Sequence, residues 1–206
     1  MAQLFTDREA WLTEAASLII DDILTPIIDA SAYGYERPPY RISVGFPKHS
    51  RGGKSIAVCF TRAASSDGVN EVFINPEIDD PVEVLDKLTH ELIHAFDDCE
   101  SGHRNFFAHV ARKAGLEGAL TRTVAGDELR QTLQSYADLL GPFPHRKMQL
   151  DTTHKKQKTR MRRVSCSSPE CGFHFRTTAV QIAKLANPTT CPACQTGILF
   201  EESGAA

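Results

Sequence analysis

Two periods of apolar residues alternate along the first 144 positions, and the switches between them mark the elements. From about 6 to 24 the period is helical: Trp11, Ala15, Leu18, Ile19 and Ile23 recur near one face, with Thr6 placed to cap the start. Gly and Pro then gather between Tyr33 and Pro39. Three short segments rich in β-branched and aromatic residues follow, at 41–46, 56–61 and 72–75. Gly52-Gly53 and Asp67-Gly68 supply turns between them, and the set predicts a small antiparallel sheet. The helical period returns at Asp79 or Asp80, where Pro81 suits a first turn and Glu83 the positive end of the dipole. Leu85, Leu88, Leu92 and Phe96 give this second helix a core face. A third helix covers 106–115 and ends at Gly115. A fourth covers about 126–140 and stops at Gly141-Pro142 and Pro144.

After residue 144 the pattern changes. Residues 145–163 hold eight basic residues, one acid and only three large apolar side chains, which reads as a linker or basic arm. Residues 164–202 read as two strand-and-knuckle units around a helical segment near 179–186. The net charge of −3 conceals this division. Residues 1–144 carry 13 Lys+Arg against 22 Asp+Glu, whereas 145–206 carry 10 against 4. With 41% hydrophobic and 24% charged residues in 206, the chain suits one compact domain plus a small appendage. No apolar run approaches the roughly 20 residues that span a bilayer. The first residues carry acids and no basic region before the apolar stretch, so a secretory signal is not expected and the expected location is the cytoplasm, or a nucleus. In a reducing compartment, closely paired cysteines speak for metal rather than for disulfides.

The strongest chemical signal is His90-Glu91-Leu92-Ile93-His94. Residues four apart share a helix face, so both imidazoles can reach one ion, and Glu91 lies close by without ligating it. In such a site zinc lowers the pKa of a bound water to about 7, and the carboxylate takes its proton and later delivers it to the leaving amine. A third protein ligand is needed. The metzincin pattern asks for glycine at position 97 and histidine at 100, where this chain has Asp97 and Glu100. His103, after Ser101-Gly102, is the leading candidate. Asp97, Asp98 and Glu100 are alternative carboxylate ligands that read more simply as a solvated helix end, and His109 suits a capping or core-edge role. Tyr33, Tyr35, Tyr40, Lys48 and Arg51 are candidate donors to a transition-state oxyanion.

At this point the chain resembles the SprT-like zinc metalloproteases. The resemblance rests on Val72-Phe73-Ile74-Asn75-Pro76 leading into the helix with His90-Glu91-Leu92-Ile93-His94-Ala95, on a later histidine with Phe107 four residues on, and on Ala114-Gly115-Leu116. It covers roughly residues 8–116. Family members have the third histidine in an H-G-x-x-F setting; here Arg104 follows His103 and the glycine precedes it at Gly102. The resemblance implies a minimal zincin domain over 1–144, with His90, His94 and His103 as ligands of a catalytic zinc and Glu91 as general base. It also implies proteolysis near nucleic acid, since the Spartan branch cleaves proteins crosslinked to DNA. The region from 120 onward resembles SprT-like proteins of bacteriophages, for which the location would be the host cytoplasm.

Cys166-x4-Cys171 and Cys191-x2-Cys194 are spaced to bring four thiolates around one structural zinc, as in a zinc ribbon over 164–202. His174 is an alternative ligand or a strand-face histidine. Cys59 and Cys99 have no partner in sequence and read as structural. Lys155, Lys156, Lys158, Arg160, Arg162 and Arg163 fit non-sequence-specific contact with DNA phosphates, and Phe173 and Phe175 fit stacking on unpaired bases. The expectation is therefore an α+β zincin-type endopeptidase, recruited to nucleic acid by its basic arm and ribbon. The alternative is a zinc-stabilised nucleic-acid-binding or adaptor protein with a silent peptidase site.

Overall fold

The structure, a computed structural model, describes residues 5–46, 55–149, 161–185 and 188–201. The chain forms two compact units, residues 1–150 and 151–206. The fold is mixed α+β, with small sheets.

In the first unit, α1 spans Arg8–Ile19 and its N-cap is Asp7, whose carboxylate accepts the Ala10 N–H at 2.7 Å. The sequence had placed the cap one residue earlier, at Thr6. The helical path also runs further than expected. A π-helical turn, Ile20–Leu24, leads into α2, Thr25–Asp29. Pro26 lacks the N–H that a regular helix would use, and the widened turn just before it removes that demand.

The sheet consists of β1 (Tyr40–Val44), β2 (Ala57–Phe60) and β3 (Asn70–Ile74) in the order β1-β3-β2. β2 pairs antiparallel with β3, but β1 pairs parallel with it, with Ile42 opposite Val72. The expected purely antiparallel sheet is thus corrected to a mixed one. β3 has the strongest demand for burial, with Asn70, Val72 and Ile74 all sealed from solvent, so it takes the centre. Alternation along a strand encodes a buried face, not a neighbour. The Asp67-Gly68 turn is present, with Gly68 at φ +71°; Gly52-Gly53, Lys48 and Arg51 lie outside the described residues.

The central helix α3, Pro81–Phe96, is capped by Asp80, whose carboxylate accepts the Glu83 N–H at 2.9 Å. Leu85, Leu88 and Leu92 on one face are fully buried against α1, α5 and the sheet. A turn-rich loop leads to α4, Asn105–Lys113. Next come the short strands β4 (Leu116–Glu117) and β5 (Val124–Ala125), an antiparallel pair the sequence did not announce, and α5, Asp127–Leu140. Trp11 packs on Phe143 with ring centroids 5.0 Å apart and donates its indole N–H to the Gly141 carbonyl. The chain stays on this unit past residue 144: His145 Nε2 lies 2.9 Å from the Pro76 carbonyl, which also accepts the Met148 N–H.

In the second unit, β6 (Arg162–Cys166) is flanked by β7 (His174–Thr177) and β8 (Leu199–Glu201), both antiparallel to it. The one-turn helix α6, Ala179–Ile182, is capped by Thr178. Among the described residues only Val164 and Cys191 are buried apolar side chains here. So small a core cannot hold a fold of this size without a crosslink or a metal.

Candidate metal centres

α3 carries His90, Glu91 and His94 away from the face formed by its leucines, with Glu91 and His94 buried and His90 half-buried. Its C-terminal loop then returns His103 to the same place. The turn is heavily specified. The Cys99 N–H donates to the His94 carbonyl at 2.8 Å, and the buried Asp97 carboxylate accepts the Ser101 N–H at 2.9 Å. Asp98 and Cys99 take left-handed φ angles of +52° and +63°, uncommon outside glycine. The Asp98 carboxylate fixes that geometry by accepting the Arg62 N–H at 2.7 Å and the Asn70 side-chain amide at 2.8 Å. Gly102, at φ +53°, completes the return.

The ligand atoms of His90, His94 and His103 lie within 4.8 Å of one another, a group that could hold a metal ion. Nitrogens set tetrahedrally about 2.05 Å from one ion stand roughly 3.3 Å apart. His94 Nε2 and His103 Nε2 are 3.3 Å apart. Phe107, fully buried on α4, forms the floor: its ring stacks on His94 at 4.2 Å and meets the edges of His90 and His103 at 4.7 and 5.0 Å. Burial, then the proximity of the other imidazoles, holds His90 and His94 down to about 3, and burial lowers His103. Near neutral pH all three rings are therefore uncharged, the state in which imidazole binds metal.

Glu91 is buried beside the cluster and accepts the backbone N–H of Cys59 on β2. Desolvation pushes its carboxyl up to about 8, against the opposing pull of that hydrogen bond and of Lys87. A cleft of about 420 Å³ opens over His90 and Glu91, bounded by Ile56 and Ala57 on one side and by Arg122, Thr123 and Val124 on the other. β2 is the outer strand of the sheet on this side.

Sequence spacing did not reveal Thr123. Its side chain is buried, and its hydroxyl lies 2.8 Å from His90 Nδ1, which leaves Nε2 as the ring's ligand atom. Its carbonyl receives Lys87 Nζ at 3.3 Å, while Lys87 also pairs with Asp86 at 2.7 Å. No motif connects positions 90 and 123; only the β4–β5 turn does. Asp97 and Asp98 are spent on the loop, and neither they nor Glu100 join the cluster. Tyr33 and Tyr35 stack on each other and meet Phe106 edge-on, and Tyr33 also touches the His109 ring. Tyr40 sits on β1, the far edge of the sheet.

The second unit gathers Cys166, Cys171, Cys191 and Cys194, whose sulfurs also lie within 4.8 Å of one another. Sulfurs set tetrahedrally about 2.3 Å from an ion stand roughly 3.8 Å apart. Cys166 and Cys194 are 3.6 Å apart, Cys171 and Cys191 3.8 Å. The Ser168 and Gly197 N–H groups point at Cys166 and Cys194 from 3.4 and 3.3 Å, as suits thiolates. Hydrogen bonds from the Thr196 side chain and the Gly197 and Thr196 amides lower Cys194 to about 5. His174 is exposed, bonds the Gly172 carbonyl and stays outside the group. Phe173 and Phe175 lie 6.0 Å apart and half-buried.

Arg162 and Arg163 belong to β6, opposite Thr177 and Arg176; Lys155, Lys156, Lys158 and Arg160 lie outside the described residues. Among those residues no helix is long and apolar enough to cross a membrane. Set against known proteins, the chain matches no family model, no curated protein and no solved structure.

Proposed function

We propose that the chain is a zinc-dependent endopeptidase of SprT-like type, its catalytic centre on α3 and a zinc ribbon at its C-terminal end. The observation that carries this reading is the convergence of three neutral imidazoles from a helix and its return loop, with a buried carboxylate at their side and an open cleft above. A site built only to brace the fold would have four protein ligands and no need of Glu91. His90, His94 and His103 would hold the zinc, and Cys166, Cys171, Cys191 and Cys194 a second, structural one. When bound, zinc supplies Lewis acidity, lowering the pKa of a ligated water and polarising a carbonyl oxygen.

The chain's own residues do the rest. With a cation held at the histidines, whose charge would favour the ionised carboxylate, Glu91 would accept a proton in the cleft and return it to the leaving amine, held in place by the Cys59 N–H. Thr123 fixes the His90 ring, and Phe107 excludes water from beneath the three histidines. The outer edge of β2 beside Glu91 gives an extended substrate segment backbone groups to pair with. The basic arm, Lys155, Lys156, Lys158 and Arg160 with Arg162 and Arg163, brings the enzyme to DNA through phosphate contacts and so to proteins bound there.

The test is cleavage of a DNA-binding protein by the zinc-loaded chain, with and without single-stranded DNA, for wild type and Glu91→Gln. Cleavage that requires both Glu91 and DNA is expected. Equal cleavage by Glu91→Gln would overturn the peptidase reading, and DNA-independent cleavage would overturn the role given to the arm.

A further inference from the structure

Cys59 and Cys99, forty residues apart and each alone in sequence, meet in the fold. Cys59 lies on β2, and Cys99 lies on the loop between α3 and His103. The Cys99 thiol donates to the Cys59 carbonyl at 3.7 Å, and the Cys59 thiol to the neighbouring Phe60 carbonyl at 3.7 Å, so the two cysteine side chains lie side by side. Both are half-buried. The juxtaposition is enforced from outside the pair. Asp98, next to Cys99, is bonded to Arg62 and Asn70 at the two ends of the β2–β3 connection, which holds the left-handed turn against the strand. Cys99 also lines an open hollow of about 550 Å³ shared with His103 and Thr121, so solvent comes up to this residue. The neighbouring Cys99 side chain, and then burial, push the Cys59 thiol upward, so Cys59 keeps its proton until a partner sulfur is oxidised.

We propose that Cys59 and Cys99 form a reversible dithiol site whose oxidant is hydrogen peroxide. Cys99 loses its proton and its thiolate attacks one peroxide oxygen. The O–O bond breaks, and hydroxide leaves with that proton as water, giving the sulfenic acid. The Cys59 thiol then gives up its proton, its sulfur attacks the Cys99 sulfur, and the S–O bond breaks to release a second water. Two thiols are oxidised to one disulfide, and one peroxide is reduced to two waters. The bond would join the strand whose N–H holds Glu91 to the loop that delivers His103. Formation of the disulfide does not depend on the histidine cluster being a peptidase site.

Trypsin separates the four relevant regions, because residues 55–62 and 88–104 each carry one cysteine while the ribbon cysteines fall on 164–176 and 185–206. The zinc-loaded full chain is treated with hydrogen peroxide, its remaining thiols are alkylated, and the unreduced digest is read by mass spectrometry. The expected product is 55–62 joined to 88–104, about 2 Da lighter than the two peptides together and lost on adding dithiothreitol. In Cys59→Ser, peptide 88–104 should instead appear about 32 Da heavier, as the sulfinic acid that forms when no second thiol intervenes. Recovery of both cysteines alkylated in the wild type, or of the sulfinic form of Cys99 there too, would overturn the proposal. Because the readout is a covalent bond, an inactive enzyme could not be mistaken for a failed dithiol.

Discussion

The three histidines and the four cysteines solve the same geometric problem on very different foundations. Two of the histidines stand on a helix whose opposite face is sealed in the core and the third on its return loop, over a fully buried Phe107, with Thr123 and Asp98 fixing the ring and the loop. The cysteines stand on short strands and turns with Val164 and Cys191 as the buried apolar side chains among the described residues. In the first region packing builds the site, and an ion entering it need not fold anything. In the second an ion would do the folding, since structural zinc contributes on the order of 10 kcal/mol or more in modules of this kind. A catalytic ion needs an unused position and a structural one does not, and three ligands against four express that difference.

Metal removal should separate the two regions most sharply. A strong chelator, or Cys191→Ser, is expected to abolish the amide dispersion of residues 161–201 in an NMR spectrum while the signals of α1, α3 and α5 persist. Simultaneous loss of both regions would break the contrast. Next in size is Phe107→Ala, which removes a fully buried ring and the floor of the site. We expect a loss of about 3–5 kcal/mol in a denaturant titration, together with weakened metal binding, and no change in the cysteine-bound ion.

How much of this was visible beforehand depends on the kind of signal. The start of helix α3 was legible to within a residue or two, because Asp80, Pro81 and Glu83 are local instructions, and His90 and His94 follow from helical geometry. His103 was legible as the next histidine past a glycine. The parallel pairing of β1 with β3 was not, since burial along a strand leaves the identity of its neighbour open. Thr123 was invisible for the same reason: its partner is 33 residues away and the link is a tertiary hydrogen bond. Cys59 and Cys99 read as unrelated until Asp98 was seen to draw the loop onto the strand.

Thr123→Val sharpens the comparison at smaller scale. It keeps the shape of the side chain and removes the hydroxyl from His90 Nδ1. Metal affinity at the histidines should fall about 10- to 100-fold, as for other ligand-orienting partners, measured by competition with a chromophoric chelator. Cysteine-bound metal should be unaffected, and an unchanged histidine affinity would show that Phe107 alone orients the ring.

The smallest effect is in pH. In the metal-free protein, His90 and His94 stay neutral down to about 3, so the stability they permit is present above the unfolded value near 6.5 and is lost as the pH falls. Glu91, raised to about 8, has the opposite sign: the folded state already holds its proton, and acidification from 8 toward 4.5 favours folding. Between pH 6.5 and 4.5 the two trends oppose each other. Metal-free Glu91→Gln should therefore lose stability more steeply across that window than metal-free wild type, as followed by calorimetry. Parallel curves would mean that Glu91 is not desolvated.

The position of Trp11 has an experimental consequence of its own. It is the chain's sole tryptophan, and it is locked in the first unit between α1 and the residues after α5, its ring against Phe143 and its N–H on Gly141. The molecule thus carries a built-in optical reporter for one half only. An emission shift during unfolding times the release of α1 from the segment after α5 and is blind to the cysteine module. A discrepancy between fluorescence and any whole-chain signal measures, without a label, how independently the two halves come apart.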